Sequence, residues 1–286
     1  MEIIRSIIAS LQEVLDLKVT FVIGGYVRDT LLEKPLNVKD LDLVTLEDYN
    51  ALKEKLKLSK ISHACFDKML SLRFILNGTK IDLVRARKEF YKGPGVIDWT
   101  EPASLEEDSR RRDFSVNCLM FKASDFVSGN EMVVDLVGGL KDLKLKVLRV
   151  LKPNTFYEDP SRIIRALRYS AKLNFDFELE TKSLLLEALS KELIFTTRSS
   201  RVILEFKRLF DEVPLDRFIE NCRTLVPKNV LENQSVDLLR PSFLSSLSSD
   251  FKGRDVFEIY LKEFKDKASK FFSHFGVNIR TFLESH

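Results

Sequence analysis

The sequence predicts an α+β protein: a head over residues 1–145 that carries a small mixed sheet with helices, an all-helical neck over 146–212, and a short helical body over 213–286. Three observations predict it. Short β-branched and apolar runs, the strand signal, are concentrated before residue 150. Beyond it strand signals stop, and residues 161–173, 178–194 and 200–212 read as helices. The third is a Gly-Gly pair at a strand-to-helix junction, followed by two acids spaced two residues apart.

Residues 2–17 place Ile3, Ile4, Ile7, Ile8, Leu11, Val14 and Leu15 at 3.6-type spacing, which predicts an amphipathic helix. Residues 19–23 follow as a strand, and Gly24-Gly25 breaks it before YVRDTLLEK resumes helical character. LDLVT at 41–45 and KIDLV at 80–84 read as short strands, each with an acid among apolar neighbours. RFILN at 73–77, ending in Asn77-Gly78, is the expected hairpin partner of the second. From 213 onward Pro214, Pro227, Pro241 and SFLSSLSSD predict loosely joined helices that end in an amphipathic stretch at 255–272.

Composition narrows the function classes. With 44% hydrophobic and 31% charged residues, ten Gly and eight Pro, the 286-residue chain is neither disordered nor collagenous. A net charge of +3, from 46 basic against 43 acidic residues, gives no global case for nucleic acid, so any basic surface must be local. Cys65, Cys118 and Cys222 are odd in number and far apart, which argues against a disulfide framework or a CxxC metal pair. Three histidines argue against zinc. The N-terminal segment carries acids through its apolar pattern without a small-residue cleavage site, and no window reaches 18 uninterrupted apolar residues. The expectation is a reducing, cytoplasmic setting and no membrane.

Three segments carry chemistry. In FVIGGYVRDTLLEKPLNVKDLDLVT, residues 21–45, the glycines let backbone N–H groups approach a ligand, and the helix start adds partial positive charge, which together suit a phosphate. Asp40 and Asp42 fall on one face of a strand by its period of two. They repel each other unless a cation lies between them, and hard oxygen ligands suit Mg2+ shared with phosphates. Asp82 on the second acidic strand could supply a third carboxylate. The bland alternative is an acid facing solvent.

In RRRDFSVNCLMF, residues 110–121, Arg111 and Arg112 could engage phosphate or ribose, and Asp113 and Asn117 would share a helix face. A capped helix with a solvated basic start explains the segment equally well. In FYEDPSRIIRALRYSAKLNF, residues 156–175, Asp159 and Pro160 suit the start of a helix. Along it Arg162, Arg165, Arg168 and Lys172 fall within an arc of about 120°, opposite Ile163, Ile164, Leu167 and Ala171. Such a helix can pack by its apolar face and present a cationic stripe.

Together with IDLVRARKEFYKGPG (81–95), SLEEDSRRRDFSVN (104–117), DLVGGLKDL (135–143) and RVILE (201–205), these segments resemble, in order and spacing, the class II tRNA nucleotidyltransferase and poly(A) polymerase family of the DNA-polymerase-beta-like nucleotidyltransferase superfamily. The resemblance spans about 20–210. It implies a polymerase-beta-like head and Mg2+-dependent, template-independent addition of C and A, from CTP and ATP, to the 3′ end of tRNA. Asp40 and Asp42 would bind the metal, with Asp82 in the third-carboxylate position. Gly25 and Arg28 would hold the triphosphate, Gly24 permitting the close approach, while Arg112, Asp113 and Asn117 would contact nucleotide and sugar. Asp159 and Arg162 would read the base, with Arg165 and Arg168 extending that face. A carboxylate accepts from the amino group of C or A and a guanidinium donates to the adjacent ring nitrogen, an edge that U and G do not offer.

Family members also include enzymes that add only CC, only the terminal A, or poly(A). About 75 residues follow the last motif here, fewer than the helical body and tail that members commonly carry to grip tRNA. The loop from Lys88 to Glu107 corresponds to one that helps switch from C to A addition. Outside the enzyme class, the competing expectation is an idle RNA-binding module on the same fold, which would not need two adjacent carboxylates.

Overall fold

A computed structural model of the chain describes residues 1–36, 39–191, 193, 196, 199–214 and 217. The amphipathic stretch 255–272, Cys222 and nearly all of the expected body 213–286 lie outside the described residues. The chain forms two compact units, one from residues 1–90, 97–145 and 149–152, the other from 91–96, 146–148 and 153 onward.

The first unit opens with helix α1 (Glu2–Ser10), which buries Ile4, Ile7 and Ile8. It stops well short of residue 17, yet Leu11, Val14 and Leu15 are buried too, carried inward by turns such as Val14 N–H to the Leu11 carbonyl at 2.9 Å. Ile3, expected on the same face, is exposed, so the apolar spacing encodes burial over 4–15 and helix over only part of it.

Strands β1 (Thr20–Ile23), β2 (Asp40–Thr45), β3 (His63–Phe66), β4 (Ser71–Leu76) and β5 (Thr79–Arg85) belong to a seven-stranded sheet. Next come β6 (Arg87–Gly93) and β7 (Val96–Pro102), a separate two-stranded sheet, then β8 (Met120–Lys122) and β9 (Val133–Val134), which complete the large one in the order β3-β4-β5-β2-β1-β8-β9. Within the seven-stranded sheet only β2 and β5 run parallel; its other neighbours are antiparallel. All four residues of β1 are buried, as a central strand requires, and Phe21, Ile23, Val44, Ala86 and Met120 form one core cluster. The expected β4–β5 hairpin is present: Leu76 faces Thr79, and Asn77 and Gly78 both have positive φ, 51° and 79°, the signature of a two-residue I′ turn. The expected loop from Lys88 to Glu107 is instead mostly ordered backbone, β6 and β7 followed by a capped helix start at Ser104.

Helices α2 (Gly25–Leu31), α3 (Tyr49–Leu58), α4 (Leu105–Arg110), α5 (Ala123–Val127) and α6 (Gly139–Leu145) complete this unit. The second unit holds α7 (Thr155–Glu158), α8 (Ser161–Leu173), α9 (Leu179–Ser190) and α10 (Ser199–Glu212). It is not wholly helical: β10 (Val147–Leu148) and β11 (Asp176–Phe177) pair in parallel. Two-residue strands are too short to show an alternation pattern.

Candidate active site

In the first unit, sheet register sets the site. Ile23 lies opposite Asp42, so the chain leaving β1 brings Gly24 against the Asp42 side chain. Gly24 has φ 85° and ψ −142°, a conformation closed to other residues, and a Cβ there would sit 3.2 Å from Asp42 Oδ2. The kink starts α2 at Gly25, and no side chain of the Gly24 N-cap binds the N–H groups of its first turn. Asp40 and Asp42 both face solvent on β2, with the intervening Leu41 buried. Asp82 stands opposite Asp42 on β5, so three carboxylates share one sheet face.

Two cations that the sequence reading passed over share it as well. Lys80, opposite Asp40, pairs with that carboxylate. Arg73, opposite Asp82 on β4, grips it with both prongs, Nε to Oδ1 at 2.6 Å and Nη2 to Oδ2 at 3.2 Å. Hydrogen bonding to Asp82 holds the Arg73 guanidinium above its usual range, against partial burial and with help from the charges of Asp82, Asp40 and Asp42. Their signal was available, since period-two alternation puts Lys80 on the same face as Asp82.

Behind the glycines lies a buried polar network. Arg28 is only 1% exposed; its Nη1 donates to Asn117 Oδ1 at 2.6 Å, and its Nε to Asp29 at 2.8 Å. Asn117 in turn donates to Asp113 Oδ1 at 3.1 Å, the i,i+4 pair expected of that segment, although a 3-10 turn carries it rather than an α-helix. DLVGGLKDL anchors this turn: Asp135 accepts backbone N–H bonds from Val137, Gly138, Gly139 and Leu140, and Asp142 accepts from Ser115 Oγ and from Arg149 Nε.

Arg111 and Arg112 are not a solvated basic start. Both bind Asp108, which is 1% exposed: Arg111 through Oδ1 at 2.7 Å and Arg112 through Oδ2 at 2.8 Å. Burial alone would raise the Asp108 carboxyl, but the Arg112 and Arg111 charges and hydrogen bonds from Arg111 and the Arg87 N–H hold it at about 2. Burial works against the Arg112 charge too; Asp108 outweighs it and keeps the guanidinium protonated, with a smaller contribution from Asp42. Asp108 therefore fixes Arg112 within the electrostatic reach of Asp42. Nothing in the sequence distinguished Asp108 from the other acids of SLEEDS.

In the second unit Pro160, not Asp159, is the N-cap of α8, and Asp159 just before it binds the first helical residue: its Oδ1 accepts from Ser161 N–H at 3.2 Å and Ser161 Oγ at 2.6 Å, and Arg201 Nη1 lies 3.2 Å from Oδ2. Arg162 Nη1 donates to Thr155 Oγ1 at 2.7 Å. Both members of the expected base-reading pair therefore stand at one helix start, each held by a neighbour. The expected cationic stripe is corrected. Arg162 and Arg168 are buried, 6% and 4% exposed, and Arg168 binds Glu212 at 2.6 Å and Glu205 at 3.1 Å. Lys172 reaches Glu212 at 3.1 Å and Arg165 reaches Glu205 at 3.5 Å. A helical wheel of α8 alone cannot reveal that α10 supplies acids at the matching positions, which is the condition for burying guanidiniums.

The donor chemistry fits a divalent cation held by Asp40 and Asp42 that completes its shell with other oxygens. Among the described residues no three His, Cys, Asp or Glu side chains converge on one metal position, so the set fits a cation shared with a ligand and not an all-protein cage. Among the same residues no helix is long and apolar enough to cross a membrane.

Residues 20–149 match the family model of the poly A polymerase head domain. Over 215 residues the chain is 37% identical to the A-adding tRNA nucleotidyltransferase of Aquifex aeolicus, covering 74% of this chain and 25% of that protein. Over 196 residues it is 35% identical to the CC-adding tRNA nucleotidyltransferase of Deinococcus radiodurans, 67% of this chain and 50% of that one. The fold is similar to a tRNA nucleotidyltransferase solved with a primer tRNA and an incoming ATP analog, with TM-score 0.59 and 35% identity over 75% of this chain and 58% of that chain. The chain thus spans a quarter to a half of the length of these curated relatives.

Proposed function

We propose that this chain, which belongs to the class II tRNA nucleotidyltransferase and poly(A) polymerase family and carries that family's polymerase-beta-like head, adds C and A to the 3′ end of tRNA from CTP and ATP without a template. The observation that carries the reading is the face shared by Asp40, Asp42 and Asp82 beside the Gly24-Gly25 helix start. A row of carboxylates next to uncapped N–H groups suits a cation-bound triphosphate, whereas a binding module would gain nothing from the like-charge repulsion.

In the transfer, the RNA 3′-oxygen bonds to the α-phosphorus of the nucleotide, the α–β anhydride bond breaks, pyrophosphate leaves and the hydroxyl proton is released. Asp40 and Asp42 hold Mg2+, which when bound supplies Lewis acidity at the α-phosphate and offsets charge on the leaving group. Gly25 N–H contacts the phosphates, Gly24 keeps the approach open, and buried Arg28 places a positive charge under the helix start. Arg112, Asp113 and Asn117 contact sugar and nucleotide; a 2′-hydroxyl contact favours ribonucleotides. Asp159 and Arg162 read the edge shared by C and A, and Arg165 and Arg168 hold the helix that presents them.

On this reading residues 1–145 catalyse, 146–212 select the base, and 213–286 bind RNA in the cytoplasm. The decisive assay incubates the purified chain and Mg2+ with tRNA lacking CCA and each labelled nucleotide. CTP-dependent then ATP-dependent extension is expected; no extension with any nucleotide would sink the proposal. The 37% identity to an A-adding enzyme favours one second reading, A addition alone, and tRNA already ending in CC separates the two. CC-only and poly(A) products are read from the same gel by length.

A further inference from the structure

Asp82 lies in a row across three strands, between Asp42 on β2 and Arg73 on β4. Like charge repels it from one side, and a two-pronged guanidinium draws it to the other. Both of its oxygens are engaged by Arg73, at 2.6 Å and 3.2 Å, and no third acid joins Asp40 and Asp42 around a common metal position among the described residues. The pair is too exposed, 49% and 26% at the two side chains, to matter much for stability. Its geometry nonetheless decides which way the third carboxylate faces.

We propose that Arg73 is a positioning residue whose bidentate grip withholds Asp82 from the metal and reserves it as a hydrogen-bond acceptor for the incoming RNA 3′-hydroxyl. This rests on the reading of Asp40 and Asp42 as the metal-binding pair. The remaining lone pairs of Asp82 stay open to a hydroxyl donor, while the guanidinium fixes the plane in which they lie. Lysine would keep the charge but offer a single point of contact. The row needs the fork.

The test is Mn2+ binding to the full chain, followed by the electron paramagnetic resonance of free Mn2+, with tRNA extension measured in parallel. Arg73→Lys preserves charge, so a purely electrostatic role predicts wild-type affinity. The positioning role predicts that a released Asp82 joins the metal and tightens Mn2+ binding by about three- to fivefold, the upper scale of an exposed ion pair no longer competing. Adding Asp82→Asn to Arg73→Lys is expected to abolish that gain. In the extension assay Arg73→Lys is expected to lower kcat several-fold while leaving the KM for CTP unchanged. Affinity within twofold of wild type in Arg73→Lys, or an unaltered kcat, overturns the proposal. If Asp40→Asn leaves Mn2+ affinity unchanged in the wild-type background, the metal-site reading itself has failed, an outcome distinct from the first two.

Discussion

Gly24→Ala and Gly25→Ala make a sharp test, because the two adjacent glycines look equivalent in sequence and are not equivalent in the fold. Gly24 has φ 85° and ψ −142°, and its added Cβ would meet Asp42 Oδ2 at 3.2 Å. Forcing alanine into such backbone costs about 1–3 kcal/mol. For a unit of this size that lowers Tm by roughly 2–12 °C. The new methyl also pushes the Asp42 carboxylate by a few tenths of an ångström, so extension activity is expected to fall further than the folded fraction does. Gly25 is the first residue of α2, and its added Cβ would meet Arg28 Nη2 at 3.5 Å, an ordinary contact. Because alanine favours helix by about 1 kcal/mol over glycine, Gly25→Ala is expected to keep or raise Tm. Its cost should appear in the KM for nucleotide, where the methyl narrows the approach to the helix start. The assays are thermal unfolding by circular dichroism and extension of CC-ending tRNA with ATP. Equal Tm values for the two variants, or Gly24→Ala with wild-type kcat, would refute the reasoning.

Other substitutions probe the remaining parts. Asp40→Ala is expected to abolish incorporation while leaving tRNA binding by gel shift nearly unchanged; lost binding would argue against a catalytic role. Asp108 is held at about 2, below its unfolded value, so its contribution of about 2 kcal/mol is complete above about pH 4 and drains away as pH falls toward 2. Urea unfolding at pH 7 and pH 3 should therefore show a smaller acid loss in Asp108→Asn than in wild type; equal losses would count against the assignment. Glu205→Ala leaves buried Arg168 with Glu212 as its remaining acid and is expected to cost about 1–3 kcal/mol by denaturant unfolding. Arg162→Ala is expected to admit UTP in competition assays and to lower Tm modestly, because Thr155 Oγ1 loses its donor; unchanged selectivity would remove Arg162 from base reading.

What could be read in advance divides along a physical line. Local signals reported themselves: the Asn77-Gly78 turn, the Gly24-Gly25 break and the Asp40/Asp42 alternation each depend on residues within one or two positions of each other. Contacts between distant segments did not. Arg111 looked available to a phosphate because Glu89, which binds it, comes from β6, 22 positions earlier, and Arg168 looked exposed because its acids arrive 37 and 44 positions later, in α10. Arg73 and Lys80 were legible in principle, since cross-strand register follows once the β4–β5 turn is placed at Asn77-Gly78. Helix α1 shows the opposite error: apolar period identifies what is buried without fixing where the hydrogen-bonded helix ends.

The near-balance of charge in this chain, +3 from 46 basic and 43 acidic residues, acquires a structural meaning from these pairs. Arg28, Arg73, Arg112 and Arg168 are each bound by an acid of the same chain, at Asp29, Asp82, Asp108 and Glu205. A guanidinium fixed in this way has already surrendered its rotamer freedom, so a ligand it contacts need not supply that ordering cost. It also contributes less net field at a distance. Such a surface attracts polyanions weakly at long range and discriminates at short range, by where donors are fixed rather than by how many there are. In the proposed reaction the chain must distinguish CTP and ATP from UTP and GTP, all with the same triphosphate, and a larger basic patch adds nothing to that choice, since the triphosphate is common to all four. On the proposed function, selectivity has to come from donors and acceptors locked at the base, and the Asp159–Ser161–Arg201 and Arg162–Thr155 bonds are where this chain locks them.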